Sequence, residues 1–301
     1  MKLDSVIDRR KLKKQIIFWR TSAVIVMTAF VIFLFGKFDT FKNSEHIAVL
    51  NITNIIINNP KRSIILKNVA NNDLAKALIV NINSPGGTVV GGEALYLNLR
   101  DVAGKKPVVA VISDLATSAG YMAAIAADKI FARQSSITGS IGVIIQTTDI
   151  TILLDKIGIK PESIKSAPLK AQPNPLEPMN DRARSATRIV VEDIFNMFID
   201  MVATRRKMDQ KIVKKLADGR IYTGRQALKN GLIDAIGGEK EAINWLAKTK
   251  NINKELPLRL LDFNNQQSYL EKILNRFLGK ISISDRLGLD GLVSLWQPDL
   301  R

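Results

Sequence analysis

The sequence predicts an α/β fold built on a parallel sheet. Three observations carry this. Apolar runs of strand length recur at "LAKALIVNIN" (Leu74–Asn83), "KPVVAVIS" (Lys106–Ser113) and "DKIFA" (Asp128–Ala132). Such runs suit strands covered on both faces. Helical stretches, over Glu93–Ala103 and from Ser118 to Ala127, alternate with them. That alternation implies parallel βαβ units with right-handed crossovers.

The chain opens on a basic cluster, Arg9, Arg10, Lys11, Lys13, Lys14 and Arg20. "TSAVIVMTAFVIFLFG" (Thr21–Gly36) holds no charge, and "IIFW" (Ile16–Trp19) extends it with only Arg20 between. A helix needs about 20 apolar residues to cross a bilayer core. Ile16–Gly36 meets this if Arg20 snorkels toward the basic side. We therefore expect a transmembrane helix over 16–36. A basic N-terminus, 1–15, would stay in the cytoplasm, with the remainder across the membrane. A cleaved signal peptide is the competing reading, but the bulky "FLFGKFDTF" that follows the core lacks the small residues cleavage needs.

A linker over 37–46 leads to a strand region in "NSEHIAVLNITNIII" (Asn43–Ile57) and to the main domain, 47–248. "SPGGTVVGG" (Ser84–Gly92) reads as a glycine-rich turn, and "IGVIIQT" (Ile141–Thr147) as a further strand. The four prolines of "APLKAQPNPLEPM" (Ala167–Met179) imply an extended segment. "RARSATRIVVEDIFNMFIDMVATRR" (Arg182–Arg206) is a long helix, with Ile189, Ile194, Phe198, Met201 and Val202 near one packing face. The tail, 249–301, carries an amphipathic helix at Tyr269–Ser282 that docks on protein or lies on the membrane surface.

The formal net charge is +16. The basic residues are spread along the chain, without a basic-aromatic platform or a helix-turn-helix pattern. No nucleic-acid partner is expected, and the N-terminal cluster suits anionic lipid. Cysteine is absent, which excludes disulfides, thiolate metal sites and cysteine nucleophiles. There is no metal-ligand cluster, and no cofactor is expected. The single histidine, His46, precedes the first strand and is given no catalytic role.

Four features bear on chemistry. "NSPGG" (Asn83–Gly87) follows a buried strand, so its backbone N–H groups can face a crevice as half of an oxyanion hole, or simply make a Pro-Gly turn. Ser118, in "ATSAGYMAA", is either a helix N-cap or an exposed nucleophile. Ser140, in "SSITGSIGV", sits in a glycine-flanked turn. Lys170 has uncharged neighbours, and lysine serves as general base only when burial makes it neutral. A hydroxyl such as Ser140 would orient its amine. Arg220, in "DGRIYTGRQALKNGLIDAIGG", is free to pair with an acid.

Taken in order, "NSPGG", "TSAGYMAA", "TGSIGV", the Pro-rich segment with its lysine, and "GRIYTGRQALKNGLID" resemble the signal peptide peptidase SppA family (serine peptidase family S49), over roughly Ile47–Leu246. The resemblance implies a ClpP/crotonase-like α/β core of repeated ββα units, with 47–248 as the peptidase domain. It implies a Ser-Lys dyad: Ser118 as nucleophile, Lys170 as general base, Ser140 bonded to that base, and Gly87 in the oxyanion hole. It further implies homo-oligomeric, dome-like rings in which a lysine reaches a neighbour's serine. The departure is Ala171, where many members carry Asp after the lysine. Together these imply an inner-membrane, single-pass endopeptidase whose domain is extracytoplasmic and whose substrates are remnant signal peptides or other apolar peptides. A crotonase-like acyl-CoA enzyme and a catalytically degenerate membrane scaffold are the alternatives.

Overall fold

The computed structural model describes residues 13–30, 44–261 and 293–295. The chain divides into two compact units, Met1–Glu45 and His46–Arg301. In the first, residues 13–30 form helix α1. Ile17, Trp19, Ile25, Met27 and Phe30 on it are each more than half exposed. Its hydroxyls are satisfied internally: Thr21 Oγ1 donates to the Ile17 and Phe18 carbonyls at 3.0 and 2.9 Å, and Thr28 Oγ1 to that of Val24 at 2.8 Å. Of the anchor expected over 16–36, residues 31–36 lie outside the described residues. Among the described residues no helix is long and apolar enough to cross a membrane.

The second unit runs β1 (His46–Thr53), α2 (Pro60–Asn71), β2 (Ala75–Ser84), β3 (Gly86–Thr88), α3 (Val89–Ala103), β4 (Val108–Thr117), α4 (Ala119–Ala124), β5 (Lys129–Ala132) and β6 (Ile137–Gly139). It continues with α5 (Thr151–Lys156), α6 (Asp181–Arg206), α7 (Gln210–Leu216), β7 (Ile221–Thr223), α8 (Gly224–Lys229), β8 (Ala235–Ile236), α9 (Glu239–Lys250), β9 (Leu258–Leu260) and β10 (Val293–Leu295). The expected amphipathic helix at Tyr269–Ser282 lies outside the described residues.

The main sheet orders its strands β7-β6-β4-β2-β1-β9, with β5 beside β4 and β8 beside β5. All its pairs are parallel except β6 with β7. β4 serves two neighbours in succession: Val109–Ile112 pair with β5 and Leu115–Thr117 with β6. This mixed α/β architecture with a parallel-rich sheet fits the ClpP-like core implied by the sequence.

Both faces of the sheet are covered, which explains the uninterrupted apolar runs. Along β1, β2 and β4, Leu50, Val80 and Ala110 point into a large core that includes Leu95 and Leu99 of α3 and Phe198 and Val202 of α6. Their neighbours Val49, Ile79 and Val109 point the other way, onto Ala242 and Leu246 of α9. The alternation is the two-residue period of a strand.

Several elements differ from expectation. Helix α2 was not expected, although Asn59 caps it through a 3.2 Å bond from the Arg62 N–H and Pro60 opens it. β3 forms inside the expected glycine-rich turn. Ile141–Thr147 is not a strand, since the chain leaves the sheet at Ser140, whose φ is 49°. The Pro-rich segment is a succession of turns, with the Lys170 N–H on the Ala167 carbonyl at 3.0 Å and Ala171 at φ 58°, and is not extended. Beyond Lys248, β9 adds a strand beside β1.

Candidate active site

In parallel α/β sheets, ligands meet the carboxyl ends of the strands. Here those ends, on β2, β4 and β6, carry the Gly86-Gly87 strand, Ser118 and Ser140. Hydrogen bonds lock them together. Thr117 Oγ1, one residue before Ser118, donates to the Pro85 carbonyl at 3.0 Å. The Ser118 N–H donates to the Gly139 carbonyl at 2.9 Å, tying β4 to β6. Ser84 Oγ accepts the Gly86 N–H at 3.2 Å and donates to Asn54 O at 2.5 Å.

Ser118 sits between β4 and α4 with φ 55° and ψ −119°, and its side chain makes no capping bond to the helix. A left-handed φ on a non-glycine residue costs on the order of 1–3 kcal/mol and persists only where the surroundings impose it. The capping alternative raised by the sequence therefore does not describe this serine. Its backbone geometry is that of a sharp strand-to-helix turn, of the kind that presents a nucleophile. Ser118 is only 2% exposed.

Ser118 and Ser140 line one cavity of about 480 Å³. Ile141, Val143 and Ile144 form one wall, Val191, Glu192 and Phe195 of α6 another, and Ala217–Gly219 a third. Ile141–Ile144, read from sequence as the start of a strand, are instead cavity wall. The Ser140 N–H donates to the Arg220 carbonyl at 2.8 Å. Arg220 finds its acid in Asp218: Nε lies 2.9 and 2.7 Å from the two carboxylate oxygens and the backbone N–H 3.1 Å from one. The Arg220 bonds hold the Asp218 carboxyl below its ordinary value, and the Asp218 side-chain bond raises the Arg220 guanidinium. The pair thus stiffens the turn on which Ser140 hangs.

Gly87 is fixed by sterics. A Cβ there would lie 1.8 Å from the Ile56 carbonyl oxygen. The two backbones approach this closely because Ile56 N–H donates to Gly86 O at 2.8 Å and Thr88 N–H to Ile56 O at 2.9 Å. A trans peptide unit points its C=O and N–H in opposite directions. The Gly87 N–H and C=O therefore both face away from Ile56.

Lys170 is elsewhere. It is exposed on the turn after α5 and is not among the residues lining the cavity. Its loop is braced by Glu177, which accepts from Lys165 Nζ at 2.5 Å and Gln172 Nε2 at 2.6 Å, bonds that keep its carboxyl below the usual range, the lysine bond foremost. A single chain thus brings together Ser118 and Ser140 but not Lys170. His46 is the first residue of β1, 3% exposed, and lines no part of this cavity. Val191, Phe195 and Asp218 were not singled out by the sequence. The apolar spacing of α6 marks a packed face without showing that part of it walls a cavity.

Residues 100–253 match the model of peptidase family S49. A relative named "Putative protease" from Synechocystis is 34% identical over 71% of this chain and 79% of its own length. The chain belongs to peptidase family S49. A relative named "Putative signal peptide peptidase SppA" from Enterococcus faecium is 35% identical over 62% of this chain and 55% of its own. "Serine protease SPPA, chloroplastic" from Arabidopsis thaliana is 32% identical over 76% of this chain and 34% of its own. The chain thus spans most of the first relative but about half and a third of the other two. As an S49 member it is a serine peptidase. The stretch matched to the family contains Ser118, Ser140 and Lys170, while Gly87 precedes it.

Proposed function

We propose that this S49 chain is a membrane-anchored endopeptidase with a Ser-Lys dyad completed between subunits. The observation that carries the reading is Ser118: buried, held at positive φ without a cap bond, and facing one cavity with Ser140. Ser118 Oγ attacks the peptide carbonyl, and a neutral Lys170 from a neighbouring subunit accepts its proton. Ser140 orients that amine. The Gly87 N–H holds the oxyanion, in which one donor is worth on the order of 10²–10³ in rate. Lys170 returns the proton to the leaving amine, and water then hydrolyses the acyl-enzyme.

The segment bearing Lys170 supports a shared site. No residue from 142 to 182 is buried, although Ile152 is 74% and Ile164 99% exposed. A segment that holds Ile152, Ile157 and Ile164 out to solvent suits packing against another copy. Helix α1 supports anchoring: residues 21–30 of it carry no charge, its threonine hydroxyls bond to its own carbonyls, and in the sequence residues 31–36 that follow are also uncharged. The basic side places the N-terminus in the cytoplasm and the peptidase unit across the inner membrane. Substrates are then apolar, membrane-associated peptides, remnant signal peptides among them.

The test is cleavage of a fluorogenic apolar peptide by the full chain. Ser118→Ala and Lys170→Ala should each lower kcat by on the order of 10³ or more, with unchanged circular dichroism. Equal cleavage by all three proteins would remove the dyad, and loss in Ser118→Ala alone would require another base.

A further inference from the structure

The cavity that Ser118 and Ser140 share differs in charge from the molecule around it. The chain carries 44 lysines and arginines against 28 aspartates and glutamates. Yet the residues lining the cavity include Glu192 and Asp218 and no lysine or arginine. Asp218 is already paired with Arg220, its Oδ2 lying 2.5 Å from Nη2. Glu192 has no ion pair among the described residues. Helix α6 places it. Val191 and Phe195 are four residues apart and share one face of that helix, and Glu192, three before Phe195, stands at the margin of the same face. Val191 and Phe195 are half-buried, whereas Glu192 is exposed. The cavity thus has apolar walls, from these two residues with Ile141 and Val143, and an acid on its solvent side.

We propose that Glu192 is a specificity-determining residue, selecting peptides that set a lysine or arginine side chain in the cavity beside Ser118. This rests on the reading of Ser118 as nucleophile. Lysine and arginine are amphipathic: their alkyl stems cover apolar surface while their charged heads stay in water. Val191 and Phe195 offer the stem a wall, and Glu192 meets the head at the mouth. The net charge of +16 disfavours cationic peptides over the molecule as a whole. Glu192 reverses that preference locally, at the one side chain that enters the cavity. The substrate class is then an apolar peptide with a basic residue at one fixed distance from the scissile bond.

The test uses the full-length protein and a fluorogenic apolar peptide carrying lysine, or its uncharged isostere norleucine, at each position in turn. At one position the lysine-to-norleucine ratio of kcat/KM should stand about threefold above its value elsewhere, the scale of an exposed ion pair. Glu192→Gln should bring that ratio down to the level of the other positions, and Glu192→Lys should bring it lower still. Asp193→Asn is the control. It removes the same charge from the next residue of α6, but Asp193 lines a different cavity with Tyr96 and Met197, so the wild-type ratio should persist. A ratio that is the same at every position overturns the inference, as do equal shifts in Glu192→Gln and Asp193→Asn. So does a lower kcat for all peptides with the ratio kept, which would group Glu192 with the dyad. Anisotropy with the same peptides on Ser118→Ala and on Ser118→Ala/Glu192→Gln reads binding without turnover. A lysine preference in binding that Glu192→Gln removes, in a chain that cleaves none of the peptides, would retire Ser118 as nucleophile and leave the selective cavity standing.

Discussion

Ser118 holds a conformation that L-residues avoid, at φ 55°, and the sequence gives no hint of it. "ATSAG" reads equally well as a helix cap, because capping and nucleophilic serines share small neighbours and differ in a dihedral. Only the order of distant motifs separated the two. The strain has a measurable consequence. Ser118→Gly and Ser118→Ala both remove the hydroxyl and should be equally inactive. Glycine adopts positive φ without a Cβ penalty, whereas alanine inherits the strain. Glycine gives up part of this advantage through its freer unfolded chain. We expect the glycine variant to be the more stable by about 1 kcal/mol, measured by urea unfolding of the two variants side by side. Equal stability would show that the surroundings do not impose the strain.

Elements were legible in proportion to how much apolar surface they bury. β1, β2, β4 and β5 stand out as runs because both faces of each are covered. β3, β6 and β7 are three residues each and rich in glycine and threonine, so they carry no periodicity. Ile141–Ile144 misled because a cavity wall is as apolar as a strand. Helix α2 was detectable through Asn59-Pro60, a start signal that outweighs its weak amphipathicity. The short helix α4 shows what fixes such an element. All six of its residues are buried, and Tyr121 Oη donates to the Leu232 carbonyl at 2.8 Å. Tyr121→Phe strands that carbonyl and should cost about 1–3 kcal/mol at neutral pH. Burial, with a smaller contribution from Asp234, pushes the Tyr121 hydroxyl well above its ordinary value. The raised folded value means its stabilisation is full below about pH 10 and declines above it, because only the unfolded chain then releases the proton. The stability gap between wild type and Tyr121→Phe should therefore narrow by about 1.4 kcal/mol per unit above that point. Parallel chemical-denaturation curves at pH 8 and 11 measure it, and a constant gap would refute the assignment.

At the scale of the whole molecule, the unit His46–Arg301 combines a buried core with a segment, 142–182, in which no residue is buried. Among residues 142–182 none is buried, Ile152, Ile157 and Ile164 stand out to solvent, and Lys170 is not among the residues lining the cavity that Ser118 and Ser140 share. A sequence motif reports which residues a reaction needs but not whether one chain supplies them all. The segment makes the difference testable, since a dyad split between copies behaves unlike one within a copy. Ser118→Ala subunits retain Lys170, and Lys170→Ala subunits retain Ser118. If each site takes its serine from one subunit and its lysine from the next, random assembly of equal amounts leaves about one quarter of sites complete. Mixing the two inactive proteins under subunit exchange should restore about a quarter of wild-type turnover by that count. Ile152→Asp together with Ile164→Asp should dissociate the assembly in analytical ultracentrifugation and abolish both wild-type activity and this rescue, with the circular dichroism of the body unchanged. A dyad made within one chain gives no rescue at any mixing ratio, and that outcome would require the Lys170 segment to fold back onto its own cavity.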